Sequence, residues 1–479
     1  MQRPFPYRRR RRHGQPAPPG AGRFASGAQR VRRLGRVFNP VEGIPHPFPS
    51  LSAPPVDLAG EATTSPVQER AMRNLWWDGF FAECADVIWL QYFSLYAVAL
   101  GASVGVVGVL AAISNLVAAL ALWPGAVLAE RTRRYKLLVL ISAGGPGRLA
   151  LLTLAVIPWI ATGNTALTVL AMATVARSLP GNLAMPAWSA FAAEFVPEGM
   201  RGRYFSSRNF ARQVAGLATA PVVGFIIYQL GGLSGWQVAW LLSFLLASIS
   251  SAFYFRIPAE SHFGVAAPAQ EPARARQPAI LLRDRNLLWL VVTTGFFQLS
   301  VMIAGPFFSI YLVKHLGAST AWVGISYAFM PLAGIISQPI LGRLNDRYGP
   351  EWLLVVSGLL LPIAPWLWIV ATEPWHIIFI NVIAGVMWAA NLLATFNVVL
   401  QIAPADKRPS YTGWQQAGIF FASFLGPLIG GFLIAAIGFR LVFFISGAGR
   451  FLATLALWKM VSETAPSDGS GELAPAALG

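Results

Sequence analysis

The stretch LGASVGVVGVLAAISNLVAALALWPGAVLAER, residues 100–131, holds no ionisable side chain before Glu130. Its apolar run, placed at 105–128, is long enough as a helix to cross a hydrocarbon core of roughly 30 Å. The stretch also has a second copy. Setting residue n against n+216 aligns Leu100-Gly101-Ala102-Ser103 with Leu316-Gly317-Ala318-Ser319, Val107-Gly108 with Val323-Gly324, and Glu130-Arg131 with Asp346-Arg347. The register reaches back to Gly79-Phe80-Phe81 against Gly295-Phe296-Phe297, and forward to Leu137-Leu138-Val139 against Leu353-Leu354-Val355. Later the offset becomes 207, pairing Pro197, Arg201 and Tyr204 with Pro404, Arg408 and Tyr411, as a nine-residue deletion in the second copy explains.

Working outward, twelve such apolar segments are expected at 76–100, 105–128, 137–161, 165–190, 205–230, 235–256, 287–313, 321–341, 352–371, 376–402, 413–437 and 440–460. Composition agrees: charged residues make up 12% and hydrophobic residues 55% of the chain, against roughly 25% charged in soluble domains. Twelve apolar helices in succession have no counterpart in a water-soluble bundle. The expected fold class is therefore all-α and polytopic, with twelve transmembrane helices arranged as two pseudo-symmetric six-helix bundles. Two halves of equal orientation are the arrangement of transporters that rock about a midplane site.

Basic residues set the expected orientation, since Lys and Arg near span ends stay on the cytoplasmic side. Alternate connections carry Arg131, Arg133, Arg134 and Lys136, then Arg201 and Arg203, Arg274 to Arg285, Arg343 and Arg347, and Lys407 and Arg408; the others offer only Lys314 and Arg440. Both termini are then cytoplasmic and the span count even. The expected domains are a disordered Arg/Pro-rich cytoplasmic tail at 1–70, an N-terminal bundle at 75–256, a linker at 257–286, a C-terminal bundle at 287–461 and a second tail at 462–479. The formal charge of +16 and the run Arg8 to Arg12 bring nucleic acid to mind. A tail poor in core-forming residues beside a membrane bundle is expected instead to lie on anionic lipid headgroups. A transit peptide, or a working start at Met72, are the other readings of that tail. The single cysteine, Cys84, excludes an intrachain disulfide and a cysteine-based metal site, and no cofactor or metal is expected.

Between spans eight and nine, Gly342-Arg343-Leu344-Asn345-Asp346-Arg347-Tyr348-Gly349 resembles the cytoplasmic loop motif of the major facilitator superfamily, bacterial type with twelve spans. The resemblance covers the chain from about Trp76 to Lys459. It implies a transporter in which Gly342, Asp346, Arg347 and Gly349 latch one half against the other at a cytoplasmic gate. The first-half copy, with Glu130, Arg131 and Arg134, departs from the pattern: its Gly comes one residue early, Glu replaces Asp, and Arg133 stands where the second Gly belongs. Span four carries Arg177 followed by Pro180-Gly181-Asn182, similar to the family's fourth-helix motif, with Pro180 replacing its usual Gln.

An intramembrane Arg must face a cavity or a carboxylate. Span one supplies Glu83 and Asp86, three residues apart and so on one face. Either is expected to pair with Arg177, with a proton, or less favourably Na⁺, competing for the carboxylate; a purely structural ion pair is the bland alternative. Gly426-Pro427 and Gly430 in span eleven, and Pro221 in span five, are expected to bend their helices at a small-residue contact. Candidate cavity residues are Gln91, Tyr92, Asn115, Gln298, Trp388 and Asn391, each equally explained by an interhelical hydrogen bond or packing. Arg208 and Arg212 suit lipid phosphate slightly better than an anionic solute. Arg148 and Arg450 are further midspan charges without an assigned role.

No phosphate-cradling loop with its Lys, no His-Glu-x-x-His and no nucleophile elbow is present, so the chain is not expected to be an enzyme. The expected function is secondary active transport of a small solute by alternating access, proton-coupled and directed toward export, by a monomer in the cell membrane. An uncoupled facilitator, or a non-transporting binding or lipid-handling protein of the same fold, is the alternative.

Overall fold

A computed structural model of the chain describes residues 64–258, 284–402 and 408–464. The tail up to residue 63, most of the linker and the last residues therefore lie outside the described part. Among the described residues the chain forms twelve helical spans: α1 (Pro66–Ala99), α2 (Val104–Thr132), α3 in two pieces (Tyr135–Ser142 and Pro146–Ile160), α4 (Gly163–Phe195), α5 (Arg201–Leu230) and α6 (Gly232–Phe255) make the first half. The second half holds α7 (Arg285–Ala304 and Phe308–Lys314), α8 (Thr320–Tyr348), α9 (Pro350–Leu360 and Ile363–Val370), α10 (His376–Ile402), α11 (Arg408–Ile437) and α12 (Phe439–Thr464). Ten of these spans are long and apolar enough to cross a membrane by length and composition. The two that fall short, α1 and α4, are the helices that carry Asp86 and Arg177.

Helix α1 starts ten residues before the apolar run. Ser65 and Gln68 form a reciprocal capping box, with Pro66 in the first turn, and the polar turns that follow are invisible to a hydropathy count. Three spans are interrupted, each at a proline that cannot continue the hydrogen-bond ladder. The breaks fall at Gly144-Gly145-Pro146 in α3, at the 3₁₀ turn Gly305–Phe307 in α7, and around Pro362 in α9. The bends expected in α5 and α11 are not where the chain breaks: Pro221 and Pro427 lie inside continuous helices. The small residues beside Pro427 do make a close contact. Gly426 and Gly430 bring α11 against Met302 and Ile303 of α7.

The duplication is visible in the backbone. Ser103 and Ser319 each cap the next helix by accepting a hydrogen bond from the third residue on, Val106 and Trp322. Gly101 and Gly317 hold φ +93° and +66° at matching turns, as Gly231 and Gly438 do at +61° and +81°. Where the second copy has Gly349 (φ 84°), the first has Arg133, forced into the left-handed region at φ 50°. The positive φ is kept but the turn is not the same: Arg133 is in the left-handed region at ψ 19°, whereas Gly349 has ψ 159°.

The halves meet along α2 with α11 and α5 with α8. The approach is backbone on backbone. A Cβ at Gly108 would collide with the carbonyl of Pro427, and one at Gly324 with the carbonyl of Ala220 and the Tyr92 hydroxyl. Thr320 Oγ1 donates to the Gly224 carbonyl at 2.9 Å. All these contacts sit in the half of the bundle away from the basic loops.

Candidate functional site

Helix α1 places Asp78, Ala82 and Asp86 four residues apart, one turn above another, on the wall of a cavity of about 220 Å³. Arg148 of α3, Gly181 and Trp188 of α4, Arg208 and Arg212 of α5, and Ser251 of α6 complete much of that wall. The cavity thus lies within the first bundle and brings together Asp78, Asp86, Arg148, Arg208 and Arg212.

Three ion pairs cross from α1 to its neighbours. Asp86 Oδ1 accepts from Arg177 Nη2 at 2.6 Å, and the Arg177 guanidinium lies over the Trp89 ring, 4.4 Å from its centroid. Glu83 pairs with Arg212 of α5. Asp78 sits 3.6 Å from Arg208, whose Nε donates to the Leu75 carbonyl at 3.1 Å and whose guanidinium stacks over Trp188. Gly79 makes that placement possible, since a Cβ there would lie 2.6 Å from the Arg208 guanidinium. Ser250 Oγ donates to Asp78 Oδ1 at 2.7 Å, and Arg148 reaches the Ser251 and Ser250 hydroxyls at 3.1 and 3.4 Å.

Charges taken out of water are costly unless paired, and breaking one side of such a pair leaves the other uncompensated. A carboxylate held by an Arg in this setting can exchange that Arg for a proton. The pair then opens, the two helices lose their tie, and protonation becomes linked to helix position.

Several expectations change. Asp86, not Glu83, is the partner of Arg177. Glu83 sits one position round the helix, too far from α4 and in reach of α5. Arg208 and Arg212 do not face lipid: Arg208 is 6% exposed and each pairs with an α1 carboxylate. Asp78 escaped the sequence reading because it lies only two residues into the expected apolar run; its four-residue spacing to Ala82 and Asp86 was the available signal. Tyr92 is fully buried at the seam between halves, donating to the Ala220 carbonyl at 2.6 Å. The other cavity candidates are partly buried but lie outside this cavity, four of them in contacts with neighbouring groups. Asn115 donates to Ala111 O, Gln298 to Ser423 Oγ, Asn391 to Ser357 Oγ, and Trp388 meets Phe297 edge-on. Gln91 is partly exposed. At the basic end Glu130, Arg131, Arg134, Asp346 and Arg347 are exposed, with Arg347 over the Tyr348 ring, and Gly342 has open space around it.

A multi-pass helical membrane protein with two like bundles and charge pairs inside one of them defines the class. The sequence model of the Major Facilitator Superfamily matches residues 79–302 and 290–477, and the chain belongs to that family. Over 192 residues it is 29% identical to the multidrug resistance protein MdtG of Proteus mirabilis, a match covering 38% of this chain and 48% of that one. The chain thus spans about half the length of that relative. In structure it is similar to the nucleoside transporter NupG (TM-score 0.68, 12% identity, 83% of this chain and 99% of that one). It is equally similar to a bacterial homologue of the human lysosomal transporter Spinster in an inward-facing, unoccupied conformation (TM-score 0.69, 13% identity, 84% and 98%). Membership of a family of transporters accords with the expectation that the chain is not an enzyme.

Proposed function

We propose that this protein is a secondary active transporter that moves a small solute out of the cell by alternating access, in exchange for protons. The observation that carries the reading is the Asp86–Arg177 pair at 2.6 Å, an ionised contact between α1 and α4 on the edge of an internal cavity. Protonation of Asp86 releases Arg177 and lets α1 move against α4, and the reverse movement re-forms the pair and expels the proton. The Glu83–Arg212 pair is a second tie of the same kind between α1 and α5.

The basic end is the cytoplasmic side in this reading, following the bias of Lys and Arg. Contacts between the halves at the opposite face, with exposed loop charges at the basic end, then correspond to a state open to the cytoplasm. In the closed state Asp346 and Arg347, with Glu130, Arg131 and Arg134, latch the halves. The resemblance to a protein named for multidrug resistance favours export.

Flux of a broad solute panel into proteoliposomes tests this, with the lumen made acid, neutral or alkaline relative to outside. Accumulation driven by an acid lumen is expected. Accumulation driven only by an acid exterior overturns the exchange direction. Saturable flux indifferent to the gradient overturns coupling and leaves a facilitator.

A further inference from the structure

The charges on the wall of the first bundle do not balance. Asp78, Glu83 and Asp86 face four guanidinium groups, those of Arg148, Arg177, Arg208 and Arg212. Each carboxylate has its own Arg, and Arg148 is the one whose hydrogen bonds go to hydroxyls. Its cation borders the cavity beside Asp78, Asp86 and Trp188, and it shares Asp78 with Arg208, acting on it through space and through the Ser250 hydroxyl. A guanidinium whose nearby carboxylate is already shared with another Arg leaves positive charge in excess, and its planar fork of donors matches a carboxylate or phosphate. The break in α3 puts Arg148 in the first turn of its second piece, so the side chain enters the cavity from a fixed point between Ser250 and Ser251.

We infer that this cavity takes the acid group of a soluble organic anion, held by Arg148, so that the solute carried is an organic acid rather than a cationic or neutral compound. The inference rests on the transporter reading for its meaning, but a binding measurement tests it without any flux. Ser250 and Ser251 keep Arg148 extended, and Trp188 offers a ring face to the apolar part of the solute. The positive charge left in excess at Arg148 becomes matched when the solute binds.

The test uses the purified full chain in neutral detergent. Thermal stabilisation is followed with sets of an acid, a neutral and a cationic compound of similar size: benzoate, benzamide and benzamidine; phenyl phosphate, phenol and phenethylamine; succinate, succinamide and 1,4-diaminobutane. Phosphatidylglycerol in mixed micelles forms a separate arm. Saturable stabilisation by at least one acid, and not by its neutral or cationic match, is expected. Arg148→Gln is expected to raise the half-saturating concentration by about tenfold or more, Arg148→Lys by less, and Arg133→Gly, in an exposed turn, not at all. Stabilisation by the cationic members, or by none of the acids, overturns the inference. So does an acid response unchanged in Arg148→Gln. A response to phosphatidylglycerol alone overturns it in favour of a lipid headgroup. Should Arg148→Gln fail to fold, Arg148→Lys and the wild-type ranking of acid against amide and amine still decide.

Discussion

Arg133 and Gly349 occupy equivalent positions in the two copies, and only one of them is built for a positive φ. A residue with a Cβ in the left-handed region costs roughly 1–2 kcal/mol, of which the extra freedom of unfolded Gly takes part back. Arg133→Gly is therefore expected to stabilise the protein by roughly 0.5–1 kcal/mol in reversible unfolding from mixed micelles; a loss of stability would mean that the Arg133 side chain makes a compensating contact. Arg450 presents the opposite case. It is 4% exposed in α12, and among the described residues its Nε has no hydrogen-bond partner and no carboxylate pairs with it. Replacing such a charge with an apolar side chain of similar length is expected to help, by about 1–3 kcal/mol for Arg450→Met. A fall in melting temperature would show instead that the charge is satisfied and structural. The sequence exposed part of this level. Asp86 and Arg177 were recognisable because an ionisable group in a long apolar run demands a partner. The pairing of Glu83 with Arg212, and of Asp78 with Arg208, was not, because partners 129 and 130 positions apart are chosen by how α1 and α5 pack and not by either helix alone.

At the level of the elements, glycines do two separate jobs. Gly144-Gly145-Pro146 breaks α3, whereas Gly108, Gly224 and Gly324 admit a neighbouring backbone. Hydropathy located every span but not the breaks inside three of them, since a short proline-centred interruption leaves the apolar average intact. The closeness of α2 to α11 and of α5 to α8 gives a prediction. Val at Gly108 or Gly324 adds carbons where a single Cβ already meets a carbonyl or a hydroxyl, so the halves cannot close on the face away from the basic loops. Flux is expected to drop by about tenfold or more, with solute binding kept, because one state of the cycle is lost and the cavity is untouched. Normal flux from either variant would mean that this seam does not have to close. Gly79→Val, by contrast, pushes into Arg208 and is expected to weaken both folding and flux, measured as melting temperature and uptake together.

For the molecule as a whole, the repeat was the most legible feature, and it survives down to paired caps and paired left-handed glycines. Its asymmetry carries the chemistry. The three carboxylates seen paired to Arg177, Arg208 and Arg212 all belong to α1, whereas in the second bundle Arg450 has no acid paired with it among the described residues. Under the proposed mechanism the first half holds the charge exchange and the second is its counterpart, and the two are in contact along α2–α11 and α5–α8. Sequence alone could not assign that division, since it depends on which side chains converge inside each bundle.

The central claim is that Asp86 exchanges Arg177 for a proton during transport. The direct measurement compares solute exchange at equal pH with accumulation driven by a pH gradient, in proteoliposomes holding wild type or Asp86→Asn. The neutral side chain mimics the protonated state, so the variant is predicted to keep exchange within about threefold of wild type and to lose gradient-driven accumulation. Accumulation retained at the wild-type level in Asp86→Asn would contradict the account and leave the Asp86–Arg177 pair a structural tie.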